Sequence, residues 1–120
     1  MTPTAPDPPT ELRDALRRFA AERDWEQFHS PKNLAAALAV EAAELLEPFQ
    51  WLTEEQSRQL TPAQREAVED EAADVLLYLV RLADKLEIDL AAVARRKMGR
   101  NGERYPVEKA RGSSRKYSEL

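Results

Sequence analysis

Apolar residues recur every three or four positions along most of this chain, and no long stretch alternates apolar and polar residues with the period of two that is typical of strands. That spacing places apolar side chains along one face of successive α-helices. We predict four helices, over 11–23, 31–47, 62–86 and 90–98, and a short helical turn over 54–60. The sequence therefore predicts an all-α protomer resembling a four-helix bundle.

Residues that cap helix N-termini precede each predicted helix. Thr10 precedes the first, and Asp89 precedes the fourth. Ser30 and Thr61 are each followed by a proline, whose backbone is preorganised for the first helical position. Gly99 is predicted to end the fourth helix, because glycine readily adopts the conformation that follows a helix C-terminus.

The ends of the chain lack this periodicity. We predict a disordered proline-rich leader over 1–10, a helical domain over 11–106 and a basic tail over 107–120. The net charge is −4, but from Arg95 onwards nine Lys or Arg residues face three acidic ones. A basic end on an acidic body is compatible with nucleic-acid binding, or with a metal on the acidic part and its polyphosphate on the basic part.

Composition excludes several kinds of site. The chain has no Cys and one histidine, His29, so it has no disulfide, no thiolate nucleophile and no multi-histidine metal site within one chain. A metal must then bind oxygen ligands, which favours Mg²⁺, Mn²⁺ or Ca²⁺. Because no apolar run approaches the length of a bilayer and the first residues carry no basic group, we expect a cytoplasmic protein with no membrane span.

Two pairs of acidic residues stand three positions apart on consecutive predicted helices, Glu41 with Glu44 and Glu71 with Asp74. Residues at this spacing lie on the same side of a helix and can converge on one ligand. At the helical rotation of about 100° per residue, Glu41 falls within about 20° of Leu34, inside the apolar stripe of its helix.

The second pair flanks the apolar stripe of its own helix, and Tyr78 continues that flank. This stripe is predicted to consist of Val68, Ala72, Val75, Leu79 and Leu86. Two antiparallel helices can therefore meet with four carboxylates at their seam. A single acidic pair of this kind is more often a solvated helix face, but two pairs flanked by alanines and intruding on apolar stripes favour a site.

Four carboxylates in an apolar seam repel one another unless they take up protons or bind a cation. No Lys or Arg shares the stripe of Glu41 to neutralise it. Mg²⁺, or Mn²⁺ in its place, satisfies such ligands and usually bridges them to phosphate groups. The pattern therefore predicts a metal-dependent enzyme that acts on a phosphate ester or anhydride.

The remaining candidates are aromatic and polar residues near the helix ends. Trp25 and Trp51 can offer flat faces to a nucleobase, and His29 or Asn101 can bind its edge. Ordinary core packing explains either Trp, and Tyr78, about as well, and His29 equally suits a connecting turn. Basic residues such as Lys97 can neutralise phosphates, although a basic helix C-terminus is also favoured by the helix dipole.

The order of several motifs resembles the MazG type of all-α nucleoside triphosphate pyrophosphohydrolases, and within it the dCTP pyrophosphatase branch. Beside the two acidic pairs, separated by 26 residues, the motifs are Arg23–His29, Phe49–Trp51, Asp74–Tyr78, Lys97–Met98 with Asn101, Arg104–Pro106 and Ser114–Tyr117. The resemblance covers roughly residues 11–120.

This resemblance implies magnesium-dependent hydrolysis between the α and β phosphates of a nucleoside triphosphate, probing dCTP or a modified dCTP first among substrates. It implies that Glu41, Glu44, Glu71 and Asp74 are the metal ligands and catalytic carboxylates. It also implies homotetramers whose sites include helices of neighbouring chains. The positions matching those around the nucleotide are Trp25, His29, Trp51, Tyr78, Lys97, Asn101 and Tyr105.

Two other functions stay open at this stage: a non-catalytic nucleic-acid-binding module that uses the basic C-terminal segment, and an interaction protein with structural carboxylates. The resemblance makes nucleic acid an unlikely partner. The sequence leaves open the base and sugar preference, the number of metal ions, the exact phosphate contacts and the oligomer symmetry. It also leaves open the general base, for which Glu44 and Glu47 are the candidates.

Overall fold

The computed structural model describes residues 7–120 and contains no strand in that range, which confirms the all-α class. Two 3₁₀ turns accompany the helices, at Glu26–Phe28 and Tyr117–Glu119. The α-helices are α1 (Pro8–Glu22), α2 (Pro31–Leu46), α3 (Glu54–Ser57), α4 (Pro62–Lys85), α5 (Leu90–Arg104) and α6 (Val107–Ala110). None of them is long and apolar enough to cross a membrane.

Three of the four predicted N-caps form as expected. The Ser30 hydroxyl accepts from the Asn33 N–H, and the Asp89 carboxylate accepts from the Ala92 N–H. At the start of α4, Thr61 and Gln64 form a reciprocal capping box, each side chain accepting from the other's backbone N–H. Local side-chain chemistry therefore decides where α2, α4 and α5 begin.

The predicted start of α1 is wrong by three residues. The cap is Asp7 rather than Thr10, and the helix opens with two prolines, Pro8 and Pro9. The first turn of a helix has no intrahelical use for its N–H groups, so proline is accommodated there instead of extending a disordered leader. Residues 1–6 of the predicted leader lie outside the described range.

The predicted end of the fourth helix is also wrong, because α5 continues through Gly99 and Gly102 as far as Arg104. Neither glycine has a positive φ angle, so neither forms a left-handed cap. Glycine within a helix costs about 1 kcal/mol relative to alanine but does not end it. The helix stops at Tyr105, the residue before Pro106, whose ring disfavours helical backbone in the residue that precedes it.

The described chain forms two compact units, the first ending at Ile88 and the second covering Asp89–Leu120. In the second unit, the segment predicted as coil contains α6 and the 3₁₀ turn. The rings of Tyr105 and Tyr117 meet edge to face with centroids 6.1 Å apart, and the Arg104 guanidinium lies 4.7 Å from the Tyr117 centroid. These contacts order the end of the chain against α5.

In the first unit, α4 packs against both α2 and α1. Its inner face differs from the predicted stripe: Ala72, Leu79 and Leu86 are exposed, whereas Val80 and Ala83 are buried. The face carrying the acidic pair is the one turned inward, because α1 and α2 both pack on that side. On α2, Leu34 is buried as predicted and only 1% exposed.

An ion pair joins α1 to α4. The Arg17 Nε donates to the Asp84 carboxylate at 2.8 Å, and its Nη2 donates to the other oxygen. This hydrogen bond lowers the pKa of Asp84, with partial burial opposing it. The two-point contact fixes the angle at which α1 lies across α4.

A tight turn follows α1. Asp24 adopts a left-handed backbone with φ of 55°, and the Trp25 N–H donates to the Ala20 carbonyl at 2.9 Å. Together with the bond from the Asp24 N–H to Ala21, this is a Schellman motif with aspartate at the position that glycine usually occupies. The turn sends the chain back along α1 and places Trp25 beside Phe19.

Candidate metal centre and nucleotide cavity

Three of the four predicted metal ligands converge in the first unit. Glu41 and Glu44 on α2 and Glu71 on α4 each offer a carboxylate oxygen, and these oxygens lie within 4.8 Å of one another. All three side chains are half-buried. The cluster forms because the three-residue spacing on α2 meets the inward face of α4.

The electrostatics of this cluster are unfavourable without a cation. Glu41 Oε2 and Glu71 Oε2 are buried and have no hydrogen-bond partner within residues 7–120. Desolvation and the adjacent carboxyls of Glu71 and Glu44 raise the pKa of Glu41 to about 7. The pKa of Glu71 is also raised: contact with Glu41 lowers it, but desolvation and the charges of Glu44 and Asp74 outweigh that contact.

These features fit a hard divalent cation. The donor set is entirely carboxylate oxygen, and two of its oxygens are desolvated and unpartnered. A cation there would remove both the repulsion and the unsatisfied hydrogen-bonding capacity. Asp74 is outside the group of three converging oxygens, yet it is close enough for its charge to raise the pKa of both Glu41 and Glu71.

A cavity of about 300 Å³ opens in the same unit between α1, the Glu26–Phe28 turn and α4. It brings together four residues predicted from the sequence, Trp25, His29, Asp74 and Tyr78. Its other lining residues are Leu16, Phe19, Ala20, Leu77 and Arg81. Asp74 therefore belongs to the cavity wall and to the electrostatic environment of the carboxylate cluster.

Aromatic packing orients one wall of this cavity. The Trp25 ring meets Phe19 edge to face at a centroid distance of 5.6 Å and meets His29 at 6.3 Å. The remaining contacts of this wall are apolar, with polar groups concentrated at His29, Asp74 and Arg81. A mostly apolar cavity with a few polar groups is typical of a small-molecule site.

Sequence reasoning missed Arg81, which is 4% exposed and lies in the cavity wall. Its Nε donates to Nδ1 of His29 at 3.1 Å, and its two Nη groups reach Glu26 and Asp84. The signal was available: Arg81 follows Asp74 by seven positions and Tyr78 by three, and so shares their helix face.

The structure does not bring the other predicted substrate-binding residues to this cavity. Trp51 lies beyond α2 and is 87% exposed. Lys97, Asn101 and Tyr105 belong to the second unit, where their spacing of four positions places them along one side of α5 and its C-cap. Their role at the nucleotide stays a prediction.

Comparison with known proteins defines the class of this molecule. Residues 36–120 match the MazG-like family. The chain is also 39% identical to a pyrophosphatase from Archaeoglobus fulgidus whose crystal structure superposes with a TM-score of 0.80, covering 88% of this chain and 99% of that one. This chain belongs to the MazG-like family, and its fold is the one predicted from the sequence.

The resemblance extends to individual enzymes. The chain is 48% identical to the dCTP pyrophosphatase 1 of Homo sapiens and 47% identical to that of Mus musculus, each over 119 residues. Both alignments span 97% of this chain and 70% of the mammalian protein. The branch of the family suggested by the sequence motifs is thereby confirmed.

Proposed function

We propose that this protein hydrolyses a deoxynucleoside triphosphate, dCTP or a modified dCTP, to the monophosphate and pyrophosphate, and so removes it from the nucleotide pool. The observation that carries this proposal is the position of Asp74. It lines the aromatic cavity and also acts electrostatically on the carboxylate cluster, so a base in the cavity would extend its phosphates towards the metal ligands. The names of the mammalian relatives supply the substrate.

In this proposal, Glu41, Glu44, Glu71 and Asp74 hold Mg²⁺, for which Mn²⁺ can substitute. The bound ion supplies charge neutralisation for the phosphates and lowers the pKa of water. Glu41 and Glu71 provide the desolvated oxygens that need a cation most. The carboxylates from two helices fix its position, because α2 and α4 are packed against each other.

One cluster carboxylate is also suited to accept the proton of the attacking water. Of the two candidates, Glu44 contributes an oxygen to the cluster, whereas Glu47 is exposed and caps the C-terminus of α2. We therefore favour Glu44 for this role. Trp25 and Tyr78 line the space for the base, and His29 offers an edge contact.

A nucleotide panel tests the reaction. With Mg²⁺ present, we expect dCTP to yield dCMP and pyrophosphate in a 1:1 ratio, as measured by chromatography of the nucleotide and a coupled pyrophosphate assay. A chelator should abolish the reaction, and added Mg²⁺ or Mn²⁺ should restore it. Activity that persists after metal removal would contradict the metal site.

The same panel separates this proposal from its rivals. Release of inorganic phosphate instead of pyrophosphate would place the cleavage at a different bond. If no nucleotide is hydrolysed while the protein binds DNA or RNA with strong salt dependence, the nucleic-acid-binding alternative is favoured. Comparing dCTP, a 5-modified dCTP, dUTP and the purine nucleotides would establish the base preference.

We further propose that the protein is a homotetramer. The described protomer buries few apolar side chains and exposes large ones on the two helices that carry the carboxylates, including Val40, Leu46, Leu76 and Leu79. Contiguous exposed apolar surface on packed helices is typical of a subunit interface. Trp51, 87% exposed here, would then contact a neighbouring chain, as the family resemblance implies.

Light scattering coupled to gel filtration tests the assembly. We expect a particle of four times the 13.6 kDa protomer mass. Replacing Leu79 with Glu should shift the particle to smaller species, because a buried charge without a partner disrupts an apolar interface. Replacing Ala67, exposed on the same helix, with Glu is the matched comparison. A monomer at all concentrations would contradict the tetramer. A cytoplasmic location also stays part of this proposal, on the sequence grounds given above.

A further inference from the structure

Arg81 is the one charged residue that is buried within residues 7–120. Burying a guanidinium is costly unless its hydrogen bonds are satisfied. Here α4 aims it at three acceptors: Nδ1 of His29 at 3.1 Å, the Glu26 carboxylate, and the Asp84 carboxylate at 3.4 Å. The carboxylates balance its charge, but the bond to a histidine needs a separate explanation.

The chemistry of this bond determines the state of the imidazole. A guanidinium has N–H donors and no acceptor, so Nδ1 of His29 must be the acceptor and carries no proton. A doubly protonated imidazolium cannot make this contact, and neither can the neutral tautomer with hydrogen on Nδ1. The proton of the neutral ring therefore resides on Nε2.

We propose that Arg81 is a positioning residue that locks His29 in the Nε2–H tautomer, so that the cavity presents a fixed hydrogen-bond donor to its ligand. With the nucleobase site taken from the proposed function, this donor selects a base that places a carbonyl oxygen or an unprotonated ring nitrogen opposite Nε2. A base that turns an amino group or a ring N–H to the same place leaves two donors facing each other in a desolvated cavity.

The surroundings of His29 agree with this assignment. His29 lines the cavity, and its Nε2 makes no hydrogen bond to any residue in the described part of the chain. Desolvation and the charge of Arg81 lower the pKa of His29, and Lys85 adds to them while Glu26 opposes them. The ring is therefore neutral at physiological pH, and the donor does not depend on protonation.

His29 is the single histidine of the chain, so its tautomer can be measured without assignment. Long-range ¹H–¹⁵N correlation spectra of uniformly labelled full-length protein distinguish a protonated ring nitrogen from an unprotonated one. We expect an unprotonated Nδ1 and a protonated Nε2 throughout the range from pH 6.5 to 8. A mixture of tautomers, or a protonated Nδ1, in the wild-type protein would overturn the proposal.

The variant Arg81→Met removes the donor while keeping the length of the side chain. We expect tautomer averaging in its spectrum and a rise in the pKa of His29 towards its ordinary value. Lys85→Met is the matched control, because it breaks another contact of Glu26 and leaves the bond between Arg81 and His29 in place. Its spectrum should retain the single tautomer. If Arg81→Met keeps the wild-type tautomer, Arg81 does not position the ring.

The kinetic readout separates a positioning role from a merely structural one. For Arg81→Met we expect KM for dCTP to rise by up to about tenfold, the equivalent of one ordinary hydrogen bond, with kcat changed much less. Equal losses in kcat would contradict the assignment. The wild-type spectrum needs no substrate, so absence of dCTP hydrolysis would refute the proposed function without deciding the tautomer.

Discussion

Replacing Glu41 with Gln is expected to lower the rate of pyrophosphate release by about a hundredfold or more, because it removes a carboxylate that a divalent cation needs. The same change should raise the melting temperature of the metal-free protein. In the folded chain, desolvation and the neighbouring Glu71 and Glu44 raise the pKa of Glu41 to about 7, so ionisation above that pH is less favourable than in the unfolded chain. A neutral amide removes this penalty.

These opposite effects distinguish a metal site from a structural carboxylate. Activity is measured by pyrophosphate release at saturating dCTP and Mg²⁺, and stability by thermal unfolding with a chelator present. Glu66→Gln is the matched control, since Glu66 is exposed on α4 and makes no ion pair among the described residues. Retained activity in Glu41→Gln, or a loss of metal-free stability, would contradict the proposed role.

Truncating Leu34 to Ala should have the largest effect on stability, about 2–5 kcal/mol in the free energy of unfolding. Leu34 is the largest fully buried side chain in the described range, 1% exposed, and lies on the face of α2 that packs against α4. The protomer has few other buried apolar residues to compensate, so the resulting void is unlikely to be filled by relaxation without cost.

Urea unfolding measured at a fixed protein concentration and with a chelator present would test this value. Lys32→Ala is the matched control, since Lys32 is an exposed residue in the first turn of the same helix. A change below about 1 kcal/mol for Leu34→Ala would mean that the contact between α2 and α4 depends on other groups.

Most of the helix starts were predictable, because a cap is a local contact between residues three positions apart. Ser30, Thr61 and Asp89 illustrate this. The end of α5 was not, because Gly99 is compatible both with a cap and with a helix interior, and only the backbone around Pro106 decides between them. Single residues with two allowed conformations limit prediction from sequence.

The carboxylate cluster was predictable for a similar reason, since the spacing of Glu41 and Glu44 defines one helix face before any tertiary contact is known. The inward side of α4 was not predicted correctly. The assigned stripe ran through exposed Leu79, while the buried face includes Arg81. A buried arginine becomes favourable only when distant residues such as Glu26 meet it, and that meeting is a tertiary event.

The turn at Asp24 has a consequence for the lengths of chain that this architecture tolerates. Backbone and side-chain hydrogen bonds follow one another from Ala20 through Trp25 and Phe28 to Asn33, leaving no slack between the first two long helices. An inserted residue there would rotate the indole away from the cavity wall. The exposed segment around α3 has no such constraint, so loop grafts and affinity tags are better accommodated at 53–60 than at 23–30.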